Sequence, residues 1–130
     1  MRVDLIIPCY NEEEALPFLY DALQELAQNE PAHSMRFLFV DDGSSDRTLF
    51  LLRELAEKDE RVRYLSFSRN FGKEAAMLAG LRAADADATG ILDADMQHPP
   101  ALVSTMLRAL EQGADIAAAR RTLRKSQPSL

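Results

Sequence analysis

Short apolar runs alternate with longer segments of helical periodicity along the 130-residue chain, and this alternation is the feature that most limits its fold. Apolar runs bounded by turn residues are typical of buried strands, and leucines three or four positions apart are typical of one helix face. A repeated strand–helix order favours a mostly parallel sheet with helices on both faces. The predicted strands are VDLIIP from Val3, FLFV from Phe37, VRYLSF from Val62, TGILD from Thr89 and DIAAA from Asp115.

Four helices are predicted between these strands. Ser44, Ser45 or Asp46 can cap the second helix, and the alanine-rich third helix begins at about Gly72. Pro99 or Pro100 suits the first turn of the fourth helix. The inward stripes are Leu16, Leu19, Leu23 and Leu26 in the segment from Glu12 to Asn29, Leu49, Leu52 and Leu55 in the segment to about Asp59, and Leu102, Val103, Met106, Leu107 and Leu110 in the segment before Gly113.

Composition excludes some classes of protein. A formal net charge of −6 argues against binding to bulk nucleic acid, which depends on clustered lysine and arginine. The single cysteine, Cys9, cannot form an internal disulfide, and no N-terminal apolar signal segment is visible, so we expect a cytoplasmic protein. No window approaches the roughly 18 apolar residues of a membrane span. Basic residues cluster at the end of the chain and indicate either a membrane-facing edge or a solvated tail; they are Arg120, Arg121, Arg124 and Lys125.

Polar and aromatic residues follow four of the predicted strands, at the point where each strand ends. The loops read PCYNEEE, DDGSSD, SRNFGK and DADMQHPP. Open parallel sheets bind ligands beyond the carboxyl ends of their strands, near the position where the strand order reverses. The sequence therefore predicts a ligand site at this edge of the sheet.

Asp93, Asp95 and Gln97 alternate after the fourth strand. If the backbone stays extended through Met96, their side chains project to one side and their oxygens converge. Oxygen ligands of this kind suit Mg²⁺ or Mn²⁺, which also bind diphosphate oxygens. The alternative is a polar turn that caps the next helix, and His98 in the same segment is most simply a hydrogen-bonded structural residue.

Two further loops offer groups for a nucleoside. The Tyr10 ring can stack on a base and the Glu12 carboxylate can bind ribose hydroxyls, while Asn11 would also serve as a helix cap. Of Asp41 and Asp42, one can accept a nucleobase N–H while the other caps the following helix. Two turn-forming aspartates before a glycine are the alternative interpretation.

The loop after the third strand supplies cationic and amide donors. Arg69, Asn70 and Lys73 lie in this loop, and Lys73, near a helix start, could meet a phosphate. An ordinary exposed salt bridge is the alternative for Lys73.

In this order, PCYNEEE, VDDGSSDRT, SRNFGKEAAMLAGL and DADMQHPP closely resemble the family 2 glycosyltransferases of the GT-A fold. Within that family the chain looks most like the polyprenyl-phosphate branch, which includes dolichol-phosphate mannose synthases and undecaprenyl-phosphate glycosyltransferases. The resemblance extends from about Arg2 to Arg120. It implies a Rossmann-like sheet that binds a UDP- or GDP-linked sugar and a role in glycan or cell-wall biosynthesis.

The resemblance also implies roles for individual residues. Metal and diphosphate binding fall to Asp93, Asp95 and Gln97, with Asp93 and Asp95 as the catalytic pair. Nucleotide binding falls to Pro8, Tyr10, Glu12, Asp41, Asp42 and Lys73. The implied reaction is a single in-line displacement with inversion, in which Mg²⁺ or Mn²⁺ stabilises charge on the leaving diphosphate. A lipid phosphate acceptor is already an anion, so it would need little or no general base.

Such enzymes continue beyond the donor-binding half, whereas this sequence stops soon after its fifth strand. We therefore assign residues 1–119 to a truncated nucleotide-sugar-binding domain, and residues 120–130 to a basic tail or the start of a missing acceptor or membrane-proximal region. A full-length protein would then work in the cytoplasm or on the cytoplasmic face of a membrane. Two alternatives stay open, a non-catalytic nucleotide-sugar-binding fragment and a phosphoryl-receiver signalling domain.

Overall fold

Strands and helices alternate in the computed structural model, which describes residues 1–95, 100–113 and 116–118. Gln97, His98 and the basic residues of the chain end lie outside the described residues. The elements are β1 (Arg2–Cys9), α1 (Leu16–Asn29), β2 (Ser34–Asp41), α2 (Thr48–Lys58), β3 (Val62–Ser66), α3 (Lys73–Ala83), β4 (Ala88–Ile91), α4 (Pro100–Glu111) and β5 (Ile116–Ala118).

The five strands form one parallel sheet in the order β3-β2-β1-β4-β5. The central strand β1 pairs with β2 along its whole length and with β4 on its other side. The strand order reverses between these two neighbours, which is where parallel sheets form ligand crevices. Receiver domains have the flavodoxin-like order, with β1 between the second and third strands. The predicted α/β fold is therefore confirmed, and the receiver alternative is excluded.

The sheet is buried on both faces because its strands are almost continuously apolar. Alternate residues of β1, among them Leu5 and Ile7, pack with buried side chains of α1, α2 and α4. Ile6 faces the opposite way and packs with Ala76 of α3. At Gly80 a Cβ would lie 2.4 Å from Cγ2 of Ile6, so only glycine lets α3 approach β1 this closely. The helices among the described residues are all too short or too polar to cross a bilayer.

Some helix boundaries differ from the expectation. The first helix begins at Leu16 and not at Glu12, because Glu13 to Ala15 form a turn in which the Glu12 carbonyl accepts the backbone N–H groups of Ala15 and Leu16. At the start of α2 the N-cap position is occupied by Arg47, while the Asp46 carboxylate accepts the backbone N–H of Thr48. Thr48 thereby becomes part of the buried face of α2.

Candidate functional site

A cleft of about 330 Å³ opens beyond the carboxyl ends of β1, β2 and β4. It brings together most of the residues predicted to bind a nucleotide or a metal, although they come from four separate strand–helix junctions. Its lining consists of Pro8, Cys9, Tyr10, Glu12, Asp42, Lys73, Asp93, Ala94 and Asp95. Gln97 lies outside the described residues, so its predicted role as a metal ligand stays a prediction.

The loop after β1 carries two of these groups and is attached to the loop after β2. Tyr10 is 48% exposed, so its ring is available for stacking. Asn11 has a positive φ of 53°, a conformation that asparagine tolerates better than most residues. Its Oδ1 accepts the backbone N–H groups of Ser45 at 2.8 Å and of Asp46 at 3.3 Å. Asn11 therefore joins the two loops and does not cap α1.

Glu12 is positioned by a buried threonine. Its backbone N–H donates to Thr48 Oγ1 at 2.8 Å, and the Thr48 hydroxyl donates to Asp46 Oδ1 at 2.6 Å. The other oxygen of Asp46 accepts the backbone N–H of Glu13 at 3.2 Å. Sequence reasoning gave Asp46 only a capping role and gave Thr48 no role. The sequence did contain a signal for these roles, because the polar residues Asp46 and Thr48 lie just ahead of the apolar stripe of α2.

Asp41 and Asp42 are 1% and 3% exposed, and both hold loops in place. Asp42 lines the cleft, and its carboxylate accepts the backbone N–H groups of Phe71 at 2.8 Å and Gly72 at 3.1 Å. Asp41 is absent from the described lining, and its carboxylate accepts the backbone N–H of Ser44 at 3.1 Å. Their predicted contacts to a nucleobase stay predictions.

Gly43 lets the loops after β2 and β3 touch. It has a φ of 71°, and a Cβ there would lie 2.1 Å from the backbone carbonyl carbon of Arg69. The Asn70 side chain donates to Asp42 Oδ2 at 3.1 Å, and the Arg69 guanidinium lies 4.1 Å from the centre of the Phe71 ring. Neither Arg69 nor Asn70 lines the described cleft, in contrast to Lys73.

Asp93 and Asp95 both line the cleft, but not on an extended backbone. The strand β4 ends at Ile91, and Ala94 and Asp95 lie in a turn. The condition of an extended backbone is therefore not met at Ala94 and Asp95, and Met96 lies outside the described residues. Lys73 Nζ donates to Asp93 Oδ1 in an ion pair between α3 and this turn.

The cleft is electrostatically negative around Glu12. Burial raises the pKa of Glu12, and the charges of Asp95, Asp46 and Asp93 raise this pKa further, in that order. Burial also raises the pKa of the Cys9 thiol, so Cys9 stays protonated and packs as a small apolar group. Close carboxylates of this kind fit a divalent cation in charge and in donor type.

The compact group of metal-type donors found in the described ranges lies elsewhere. Atoms of Glu30, His33 and Glu111 lie within 4.8 Å of one another at the amino edge of the sheet, opposite the cleft. Arg108 forms ion pairs with both Glu30 and Glu111, so part of the negative charge of this group is already offset. We interpret it as a link between α1, the start of β2 and α4.

Comparison with known proteins decides the family. Residues 4–129 match the model described as Glycosyl transferase family 2. The chain belongs to this family. The family 2 match covers all the elements that build the cleft.

Among family 2 relatives, the chain is 38% identical to a bactoprenol glucosyl transferase of Shigella phage SfV, across all of this chain and 42% of that protein. It is 37% identical to an undecaprenyl-phosphate 4-deoxy-4-formamido-L-arabinose transferase of Proteus mirabilis, across 95% of this chain and 38% of that protein. The chain therefore spans less than half the length of these relatives.

Solved structures agree with the GT-A fold. The mannosyltransferase PcManGT of Pyrobaculum calidifontis, in complex with GDP-Man and Mn²⁺, matches with a TM-score of 0.70 and 25% identity over 84% of this chain and 32% of that one. TarS of S. aureus, residues 1–349 with UDP-GlcNAc, matches with a TM-score of 0.68 and 20% identity over 86% of this chain and 32% of that one.

Proposed function

We propose that this chain is the donor-binding part of a metal-dependent, inverting glycosyltransferase that moves a sugar from a UDP- or GDP-linked donor to a polyprenyl phosphate. The observation that carries the proposal is the cleft itself, where an exposed tyrosine, a lysine and several carboxylates meet at the reversal of strand order. The names of the relatives support a lipid-linked acceptor, and the PcManGT complex supports a nucleotide-sugar donor.

Each side chain has a distinct task in this proposal. The Tyr10 ring packs against the base, Glu12 accepts ribose hydroxyls, and Lys73 donates to a phosphate. Asp93 and Asp95, with Gln97 as a further predicted ligand, would hold Mg²⁺ or Mn²⁺. The ion would stabilise the negative charge that grows on the leaving diphosphate.

A polyprenyl phosphate acceptor brings its own negative charge to the reaction. It can attack the anomeric carbon without losing a proton, so the described part of the cleft would need no dedicated base. Its lipid would keep the whole protein at the cytoplasmic face of a membrane. The basic residues of the chain end, Arg120 to Lys125, are suited to anionic lipid headgroups.

Calorimetry with UDP- and GDP-sugars, with and without Mn²⁺, tests the donor site. We expect metal-dependent binding of one nucleotide class, and we expect Asp95→Ala to weaken it at least about tenfold because a charged ligand is lost. Asp21→Ala is the matched control, since Asp21 is an exposed carboxylate on α1 outside the cleft. Equal affinity in the two variants would contradict the metal assignment.

Sugar transfer separates an enzyme from a binding fragment. Incubation with a labelled donor, Mn²⁺ and a short-chain polyprenyl phosphate in detergent should yield a labelled lipid. Donor binding without any labelled lipid would favour the alternative of a non-catalytic nucleotide-sugar-binding fragment.

A further inference from the structure

Lys73 and Asp93 form an ion pair with each other, although the proposed function assigns each of them a different partner. Lys73 is the first residue of α3, and Asp93 follows β4, so the ion pair spans the cleft between two elements that are distant in sequence. The proposed function gives Asp93 to a divalent cation and Lys73 to a phosphate. The observed pair occupies Asp93 Oδ1, one of the oxygens that such a cation would use.

Helix stability does not explain a lysine at this position. A positive charge at the first residue of a helix opposes the helix dipole, which favours negative charge at that end. Glu74, the next residue, has the charge that suits the first turn. The location of Lys73 is therefore better explained by the cleft than by α3.

The two side chains differ in their freedom to move. The Lys73 side chain is 58% exposed, whereas that of Asp93 is 14% exposed. Lysine carries its charge on a flexible four-carbon stem, so Lys73 can reach a new partner while Asp93 stays where it is. A nucleotide diphosphate in the cleft would provide that partner.

We propose that Lys73 is an exchangeable counter-ion, which neutralises Asp93 when the cleft holds no nucleotide and transfers to the diphosphate when nucleotide and Mn²⁺ bind together. The inference rests on the proposed donor site and adds an order of events to it. Mn²⁺ alone has to compete with the lysine for Asp93, whereas the nucleotide removes the competitor. Nucleotide and metal should therefore strengthen each other's binding, and this coupling is reciprocal.

Replacement of Lys73 should strengthen the binding of Mn²⁺ alone and weaken the binding of the nucleotide. In Lys73→Met we expect Mn²⁺ alone to bind about two- to fivefold more tightly, the range set by a partly exposed ion pair. We expect UDP or GDP in the presence of Mn²⁺ to bind about tenfold more weakly, because a charge-assisted hydrogen bond to phosphate is lost. Calorimetric titrations of the 130-residue chain measure both affinities.

Lys58→Met is the matched control. Lys58 lies on α2 with its ammonium 5.5 Å from the centre of the Tyr20 ring, outside the cleft lining, and its replacement changes the net charge by the same amount. An increase in Mn²⁺ affinity in Lys73→Met that exceeds the change in Lys58→Met supports the exchange. Equal Mn²⁺ affinities in the two variants overturn it.

The nucleotide titration of the unmodified chain separates this inference from the proposed function. If the unmodified chain binds UDP or GDP with Mn²⁺ but Lys73→Met shows no gain in Mn²⁺ affinity, the exchange is wrong and the donor site stands. If the unmodified chain binds neither nucleotide with Mn²⁺, both proposals are wrong.

Discussion

Glu12 carries a charge that the folded protein disfavours. Its pKa is raised by burial first and then by Asp95, Asp46 and Asp93, so its ionised form is less stable in the fold than in the unfolded chain. Groups that bind ligands often oppose stability in this way, because a donor or acceptor kept for a ligand is imperfectly paired before the ligand arrives. At the scale of single residues, the cleft therefore contains repulsion between carboxylates that a bound cation would reduce.

Glu12→Gln should therefore raise stability and lower nucleotide affinity. The folded-state pKa is raised, so ionisation of Glu12 destabilises the fold above its ordinary pKa, and the neutral amide removes that effect. At neutral pH we expect the free energy of unfolding to rise by less than about 1 kcal/mol. This gain should shrink as the pH falls through the raised pKa of Glu12, and it should vanish below about pH 4, where the carboxyl is protonated in both the folded and the unfolded chain. Urea denaturation across this pH range measures it. A variant less stable than the unmodified chain at neutral pH would contradict this account.

Sequence reasoning identified the chemical type of the cleft residues better than their contacts. Tyr10, Glu12 and Lys73 were selected because aromatic, acidic and basic groups after strands are typical of ligand sites, and the structure brings them together. The buried hydrogen bonds of Asp42 were not predictable, because they depend on how the loop at residues 70–72 folds back over it. Partners from distant loops leave no periodic signal in the sequence.

At the scale of elements, the loops after β1 and β2 act as one unit. Asn11, Asp46 and Thr48 exchange hydrogen bonds across the two loops, and Thr48 is fully buried. The strands were predictable from short apolar runs, since burial of a strand is a local property of its residues. The start of α1 was not predictable in the same way, because the turn at residues 13–15 follows a chain held by Asn11 and Glu12 against Ser45 and Thr48, which are distant in sequence.

Thr48→Val tests this unit with almost no change of shape. The variant leaves the Glu12 N–H without its acceptor and removes the hydroxyl that donates to Asp46, so we expect a loss of about 1–3 kcal/mol of stability together with weaker nucleotide binding. Thr48→Ser keeps the hydroxyl and should retain nucleotide affinity. Thermal unfolding and calorimetry on both variants give the comparison. Equal losses of affinity in the valine and serine variants would show that the methyl group matters and the hydrogen bonds do not.

At the scale of the whole molecule, the two edges of the sheet have different tasks. The cleft lies at the carboxyl edge, whereas the amino edge carries balanced ion pairs such as Asp59 with Arg61. The Asp59 carboxylate also accepts a hydrogen bond from the Tyr20 hydroxyl at 2.7 Å, which connects α1 to the end of α2.

The parallel pairing of the strands was predictable from the strand–helix alternation. The strand order was not, because periodicity does not say which strands become neighbours.

Asp59→Asn should lower stability without affecting the cleft. The hydrogen bonds from Arg61, helped by that from Tyr20, lower the pKa of Asp59 from 3.8 to about 2. A lowered folded-state pKa means that Asp59 stabilises the fold above the unfolded pKa and that this contribution is lost as the pH falls from about 4 to about 2. We expect a loss of about 1 kcal/mol at neutral pH, because solvent screens this partly exposed ion pair, and a smaller loss at acid pH.

Chemical denaturation at several pH values measures the effect of Asp59→Asn, and calorimetry with Mn²⁺ and nucleotide provides the control. Unchanged nucleotide affinity is expected, because Asp59 and the cleft lie at opposite edges of the sheet. A stability difference that grows towards acid pH would contradict the assigned sign.

The central place of β1 limits how this chain can vary. Because β1 lies between β2 and β4, the few residues after it interact with the loops of both neighbours. Asn11 accepts a hydrogen bond from the loop after β2, and Glu12 feels the charges of Asp93 and Asp95 after β4. An insertion after Cys9 would part both junctions at once. An insertion after the outer strand β3 would leave those two junctions intact and disturb a single one, where the backbone N–H groups of Phe71 and Gly72 meet Asp42.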